Sequence, residues 1–308
     1  MKPIVVAGEL NVDLILTGME GLPAFGTEIL AGGLCQTPGS SSMICAMGLA
    51  RLGETVRFVG RVGDDERGRF CTRALDDAGI DTKGVIVDPA VDTGLTVALS
   101  TARDRALITY PGAIAELRSA DVLQSTLAGA SHLHVSSYFL QRRLQEDFID
   151  LVARARLGGL TISLDPGYDP SARWDAGLRD LLPLVDVFLP NEVEALALTG
   201  ADDLESALRK LAAYGPLVVV KAGARGCMTM EEDDIVEVPS FPVAAVDTTG
   251  AGDSFDAGFL HAWRAERPLR DCLRWAAACG ALSTRALGGT SAQPSADDVR
   301  TLVEGCAA

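Results

Sequence analysis

Positive charge is scarce in this sequence: 27 Lys and Arg face 42 Asp and Glu, a net charge of −15. That balance omits the basic footprint by which proteins hold nucleic acid or anionic membrane, so neither is expected as a partner. A local basic site for a phosphate-bearing ligand stays open. The cysteines, at 35, 45, 71, 227, 272, 279 and 306, form no CxxC pair and no cluster with histidine. An odd, unpatterned set argues against a disulfide framework or a zinc site and predicts free thiols, mostly buried. No apolar run approaches the roughly 20 residues of a membrane-spanning helix. The opening MKPIVVAGELNVD carries a charge at Glu9 and does not make the apolar core of a signal peptide. A soluble cytoplasmic protein is the expectation. Internal repeats are missing, as are the GxGxxG of a dinucleotide site and the GxxxxGK(S/T) of a P-loop.

What is present is length and rhythm. The 308 residues, 48% of them hydrophobic, allow one large α/β domain or two ordinary ones. Short apolar runs at 4–7, 56–59, 132–135, 160–164, 185–189 and 217–220 read as buried strands. A turn or an amphipathic stretch follows each, the pattern of βαβ units and a parallel sheet covered on both faces. Residues 12–34 and 84–110 break the rhythm with alternating segments at 14–17, 29–32, 84–87, 95–100 and 106–109. These predict antiparallel strands from two insertions, forming a small sheet that projects from the main body. Such a sheet is either a flap over a cleft or an ordinary edge extension.

The clearest chemistry lies in Val246-Asp247-Thr248-Thr249-Gly250-Ala251-Gly252-Asp253-Ser254-Phe255. Phe255, Phe259 and Trp263 recur at four-residue steps, one face of a helix, so Gly250-Ala251-Gly252 sits where a loop enters that helix. The first amides of a helix lack intrahelical partners, and the dipole favours negative charge there. Small residues admit a ligand to those amides, such as a phosphoryl group in transfer. Asp253, in the first turn, could accept the proton of an attacking hydroxyl. The same residues also describe a plain Gly-rich turn with a helix-start charge, and this segment alone does not separate the two readings.

The wider sequence carries a resemblance. D-T-T-G-A-G-D at 247–253 resembles the C-terminal signature of the ribokinase-like (PfkB) carbohydrate kinases. Gly8-Glu9-Leu10-Asn11-Val12-Asp13 looks like their first-strand motif, and Ala50-Arg51-Leu52-Gly53 like the end of their N-terminal signature. Gly60-Arg61-Val62-Gly63-Asp64-Asp65, Gly68-Arg69-Phe70, Asn191-Glu192-Val193-Glu194, Lys221-Ala222-Gly223 with Gly226, and Gly288-Gly289-Thr290 with Pro294 follow in family order. The resemblance spans nearly the whole chain. It implies a single ribokinase-like α/β domain over residues 1–308: a three-layer α/β/α body with a mostly parallel sheet, and a small β-sheet lid from about 12–34 and 84–110. It implies transfer of the γ-phosphoryl group of ATP to a hydroxyl of a small sugar. The rival readings are a nucleoside kinase on the same fold and a catalytically silent sugar-sensing protein; retention of Asp253 and its small neighbours argues against the second.

By this resemblance Asp253 is the general base, and the amides around Gly250, Ala251, Gly252 and Asp253 form the anion hole. Asn191 and Glu194, three apart on one helix face, position Mg²⁺ through water; Pro190-Asn191 followed by acids is equally a helix cap. Lys221 meets the nucleotide phosphates or ends its strand in solvent, Gly223 and Gly226 belong to the nucleotide-side turn, and Asp165-Pro166 approaches the same cleft. Asp247, the Thr249 carbonyl and Ser291 match positions that hold a monovalent cation, with K⁺ the candidate.

At the sugar end Asp13 matches an acid that contacts acceptor hydroxyls, and a carboxylate can accept from both hydroxyls of a diol. Asn11, Gly39 and Ser40 complete the candidate acceptor side. Relatives show G-G-x-x-x-N here, whereas this chain puts Ser40 at the second glycine and Ile44 at the asparagine, which weakens an expectation of ribose. No Lys or Arg lies between residues 3 and 50, although Arg103 or Arg105 could still clamp a phosphorylated sugar. Residues 95–100 lack the Tyr and Arg of acidic-sugar kinases. A neutral, unphosphorylated sugar or a nucleoside is therefore expected. Ala277 stands where many relatives carry Asn near the adenine, which leaves base recognition mainly to packing. The three histidines and three tryptophans read as structural. Lid strands pair in relatives, so a homodimer through the lid is expected.

Overall fold

The first strand explains the layering. In β1, Ile4–Ala7, Ile4 and Val6 enter one hydrophobic core while Val5 and Ala7 enter another, all fully buried. A strand apolar on both sides belongs in the middle of a sheet covered on both faces. In this computed structural model, which describes residues 2–101 and 105–306, that is where β1 lies. The remaining strands are β2 (Asn11–Met19), β3 (Gly33–Pro38), β4 (Val56–Gly63), β5 (Asp81–Asp88), β6 (Gly94–Thr101), β7 (Arg105–Tyr110), β8 (His132–Val135), β9 (Thr161–Leu164), β10 (Val187–Phe188), β11 (Leu217–Lys221), β12 (Cys227–Glu231) and β13 (Asp234–Val238).

Nine strands form one sheet in the order β13-β12-β11-β10-β9-β8-β1-β4-β5. Neighbours from β11 to β5 pair in parallel, and β12 and β13 close one edge as an antiparallel hairpin. Helices Ser41–Arg51, Ala251–Arg264 and Leu269–Ser283 supply Met43, Phe259 and Ala276 to one core; helices Phe148–Leu157 and Leu204–Ala212 supply Leu151 and Leu208 to the other. The chain runs outward from β1 to β4 and β5, then returns to β8 and continues to β11 on the opposite side. The winding reverses between β1 and β8, and strand carboxyl ends beside such a reversal border a crevice.

The small sheet has the order β3-β2-β6-β7. Three expectations need correction. No strand covers 29–32; the first insertion's second strand is β3, immediately after it. Residues 84–87 belong to β5, which pairs with β4 at the edge of the large sheet. Alternation marks a half-exposed strand, and a large-sheet edge shares that signature with a flap. Moreover, β2 and β6 pair in parallel, and only the outer pairs are antiparallel. Arg103 lies outside the described residues. Among those described, no helix is long and apolar enough to cross a membrane, and the seven cysteines are free thiols, five of them buried.

Candidate active site

Where the end of β3 passes the start of β2, backbone and side chains pack too closely for added atoms. A Cβ on Gly39 would stand 2.0 Å from Asp13 Oδ1 and 2.4 Å from Asn11 Oδ1. The missing side chain is what lets both oxygens reach the cavity wall. Asn11 Nδ2 donates to Thr96 Oγ1 at 2.7 Å, but its buried Oδ1 has no partner among the described residues. Asp13 is pushed up to about 7, first by burial and then by Asp253.

Of the three consecutive serines, Ser40 and Ser42 bond Glu9 and Ser41 lies beside Asp253. Ser40 caps helix Ser41–Arg51 with φ 68° and ψ 142°, a conformation suited to glycine and costing another residue about 1–3 kcal/mol. Its hydroxyl offsets part of that strain, donating to the Glu9 carbonyl at 2.6 Å and accepting from the Met43 amide at 3.2 Å. Ser42 donates to the buried Glu9 carboxyl through Oγ at 2.5 Å and through its amide at 3.2 Å. Ser41 borders the cavity beside Asp253, and its hydroxyl favours the ionised form of that carboxyl.

Across the cavity, Gly250 holds φ +71° at the mouth of helix Ala251–Arg264. A Cβ there would lie 2.6 Å from Gly289 Cα, so a left-handed turn and a close approach both require glycine. Asp247 ties the loop, accepting the Thr249 amide at 2.9 Å, the Thr249 hydroxyl at 2.8 Å and the Gly288 amide at 2.9 Å. The Ala251 amide donates to the Thr248 carbonyl at 3.3 Å. This corrects the expected ring of donors: the amides of Gly250, Gly252 and Asp253 remain without protein partners among the described residues. A tight turn takes back one donor, and sequence does not reveal which.

Beneath this loop lies a buried charge cluster. Lys221 Nζ is 2.7 Å from Asp165 and 3.1 Å from Asp256, and the three side chains are 10%, 6% and 0% exposed. A Cβ on Gly252 would stand 3.7 Å from that Nζ, so the ammonium rests against the anion loop rather than in solvent. Burial pulls the Lys221 pKa down, but Asp165 and Asp256 outweigh it and the net shift is upward. Burial likewise raises Asp165 and is overruled by Lys221, whereas for Asp256 burial wins and holds the carboxyl well above its usual range. Asp253 is pushed up to about 7 by its depth and by Asp165, against the pull of Lys221 and Ser41.

Asn191 and Glu194 are bonded to each other as a capping box. Asn191 N donates to Glu194 Oε2 at 2.8 Å, Asn191 Nδ2 to Oε1 at 2.7 Å, and the Glu194 amide to Asn191 Oδ1 at 3.0 Å. Both still border the cavity, and burial followed by Asp165 raises Glu194 to about 8. The cap and the cavity position coexist.

One cavity of about 1800 Å³ unites Asp13, Asn11 and Ser40 with Gly250, Ala251, Gly252 and Asp253, and with Asn191, Glu194, Lys221, Gly223 and Gly226. Ala277 and Ile44 also border it. Gly39, Asp247 and Ser291 do not line it, and Ser291 is exposed. His132 and His134 are fully buried, bonded to Thr161, Ser163 and Ser136, and lie off the cavity. Sequence reasoning missed Glu9, Ser41 and Asp256 as parts of the site. Asp256 had a signal, since it lies three residues after Asp253 on one helix; Ser41 showed only as one of three consecutive serines and Glu9 showed nothing, because what they face is distant in sequence.

The sequence and the fold both resemble known proteins. A sequence model described as pfkB family carbohydrate kinase matches residues 1–296. A fructokinase of Klebsiella pneumoniae is 33% identical over 313 aligned positions, covering 96% of this chain and 97% of its own. An ATP-dependent ribose-1-phosphate kinase of Halopiger xanaduensis is 32% identical, covering 97% of each. Among solved structures, a double mutant of the Vibrio cholerae fructokinase with fructose, ADP and potassium ion bound superposes with a TM-score of 0.83 at 28% identity, covering 98% of both chains. A match of this extent, on a fold and a helix-mouth loop of this kind, means that the chain belongs to the pfkB family of carbohydrate kinases.

Proposed function

We propose that this protein is an ATP-dependent kinase that phosphorylates a hydroxyl of a neutral, unphosphorylated sugar, within one domain whose small sheet serves as lid. The observation that carries this reading is a single cavity with hydrogen-bond acceptors on one wall and, opposite, a carboxylate beside unpaired helix-mouth amides. Asp13 and the orphaned Asn11 Oδ1 would each receive a sugar hydroxyl; a buried acceptor left without a donor costs about 1–3 kcal/mol. Glu9, Asp13 and Asp253 make that end acidic, which disfavours an anionic acceptor.

Asp253 takes the proton of the attacking hydroxyl as the new O–P bond forms and the bond to the β-phosphate oxygen breaks, releasing ADP. The amides of Gly250, Gly252 and Asp253 receive the charge spread over the transferring oxygens, and Lys221 adds positive charge behind Gly252. Gly223 and Gly226 shape the nucleotide side. Glu194 and Asn191 are oxygen donors of the hard kind that suits Mg²⁺ held through water, and the ion would neutralise phosphate charge. Asp247, the Thr249 carbonyl and Ser291 are proposed for K⁺, a set of hard oxygens in which Asp247 supplies the charge.

A coupled ADP-release assay across neutral sugars, acidic sugars and nucleosides tests the reading. Turnover is expected with a neutral sugar, and more of it in K⁺ than in a bulky organic cation. Sugar binding without turnover on any acceptor would identify a sensor and sink the proposal. We also propose a homodimer through the face of the small sheet turned away from the cavity, on which Leu34 and Ile108 are 68% and 62% exposed. Sedimentation equilibrium should return twice the chain mass, and replacing Leu34 and Ile108 by Ser should return the monomer.

A further inference from the structure

The small sheet meets the anion loop at a charged point. Arg105 opens β7, the outer strand of that sheet, and its Nη1 donates to Thr249 Oγ1 at 2.7 Å across 144 residues of sequence. The same nitrogen lies 3.6 Å from Asp247 Oδ1. Thr249 Oγ1 in turn donates to Asp247, whose other oxygen receives the Gly288 amide. A hydrogen-bond chain therefore runs from the edge of the small sheet, through the loop that presents the amides, to the glycine pair behind it. Thr37, on β3 of the same sheet, braces that pair: a Cβ on Gly288 would stand 2.8 Å from its side chain.

Two features separate this contact from an ordinary surface ion pair. The Asp247 side chain is 8% exposed and already holds three protein donors, so it does not need Arg105 for satisfaction. The guanidinium also borders the cavity shared by Asp13 and Asp253. An acceptor's acidic substituent placed beside Arg105 would face those carboxylates as well, which argues against a substrate clamp.

We propose that Arg105 is a positioning residue: by clamping the small sheet to Thr249, it makes the catalytic set of the anion loop conditional on that sheet being in place. This rests on the kinase reading above and deepens it. With the sheet down, Thr249 is held from both sides and the amides of Gly250, Gly252 and Asp253 stay aimed at one point. With the sheet away, the loop keeps Asp247 but loses its outer tether. Misplacing reacting groups by about 1 Å can cost about 10²-fold in rate, so a tether of this kind acts on turnover rather than on affinity.

The test compares Arg105→Met, Arg105→Lys, Thr249→Val and the Arg105→Met/Thr249→Val double variant. Arg105→Met should lower kcat by about 10- to 100-fold, with KM for ATP within about threefold of the parent and Tm within about 2 °C. The double variant should be no slower than the worse single one, because both remove the same contact. Arg105→Lys, which keeps charge and a donor, should recover part of kcat. Independently of turnover, hydrogen exchange in the free protein should quicken across 247–253 by about tenfold in Arg105→Met. Unchanged exchange there, or additive losses, would overturn the proposal. So would a loss confined to KM for acidic or phosphorylated acceptors, which would make Arg105 a substrate clamp. A parent protein that turns over no acceptor while its loop exchange still responds to Arg105→Met would sink the kinase reading alone.

Discussion

Asp253→Asn is expected to lower kcat by at least about 10²-fold and as much as about 10⁴-fold, the range a positioned general base supplies, with the fold intact. The amide matches the carboxylate in size and keeps one acceptor oxygen. It cannot take a proton from the acceptor. Folding should not suffer, because Asp253 shares its surroundings with Asp165 and Glu9, and removing one like charge relieves repulsion. The pH profile carries the second half of the test. Asp253 is pushed up to about 7 and must be ionised to act, so kcat/KM of the parent should climb as pH rises through about 7 and level off above it. Asp13 faces Asp253 and is also raised to about 7, so the two acids titrate as a pair and spread the climb over more than one unit. Asp13→Asn should sharpen the climb, and the residual activity of Asp253→Asn should lose it. Normal turnover by a folded Asp253→Asn protein would remove the assignment.

What sequence conveyed and what it withheld follow from the range of the interactions. β1 and β11 were readable because a strand buried on both faces is a continuous apolar run. The mouth of helix Ala251–Arg264 was readable because glycines and a periodic apolar face are local signals. β5 was misplaced because alternation reports exposure of one face, not which sheet the strand joins. Its neighbour β4 is the deciding fact, and that pairing is tertiary. The serines were visible as a departure from the family pattern, yet their partners Glu9 and Asp253 lie tens to hundreds of residues away. Lys221 shows the limit most clearly. A lysine closing an apolar strand admits a phosphate, solvent or a buried acid, and only folding brings Asp165 and Asp256 to it. The Ala251 amide illustrates a smaller scale, where one 3.3 Å bond to Thr248 decides whether a donor is available.

Lys221→Met should destabilise the protein by about 3–5 kcal/mol, the usual penalty for removing one partner of a buried ion pair. Asp165 and Asp256 are 6% and 0% exposed on their side chains, so water cannot replace the ammonium. Asp256 already tends to keep its proton, whereas Asp165 owes its ionised state to Lys221. Asp165 is therefore the group stranded by the substitution. Urea unfolding should show a lower midpoint with an unchanged slope, the signature of lost stability rather than altered compactness. Adding Asp165→Asn to Lys221→Met should restore more than half of the loss, since the stranded charge goes with it, whereas adding Asp256→Asn should restore little. Turnover should fall in all of these variants, because the ammonium against Gly252 is gone. Its withdrawal also removes the charge that most opposes the upward shift of Asp253, so the base would ionise at higher pH. Lys221→Arg should not substitute: a planar fork cannot take the place of a compact ammonium between two carboxylates and the Gly252 backbone. A Lys221→Met protein within about 1 kcal/mol of the parent would show that the cluster hydrates on its own and that Asp165 never depended on the lysine.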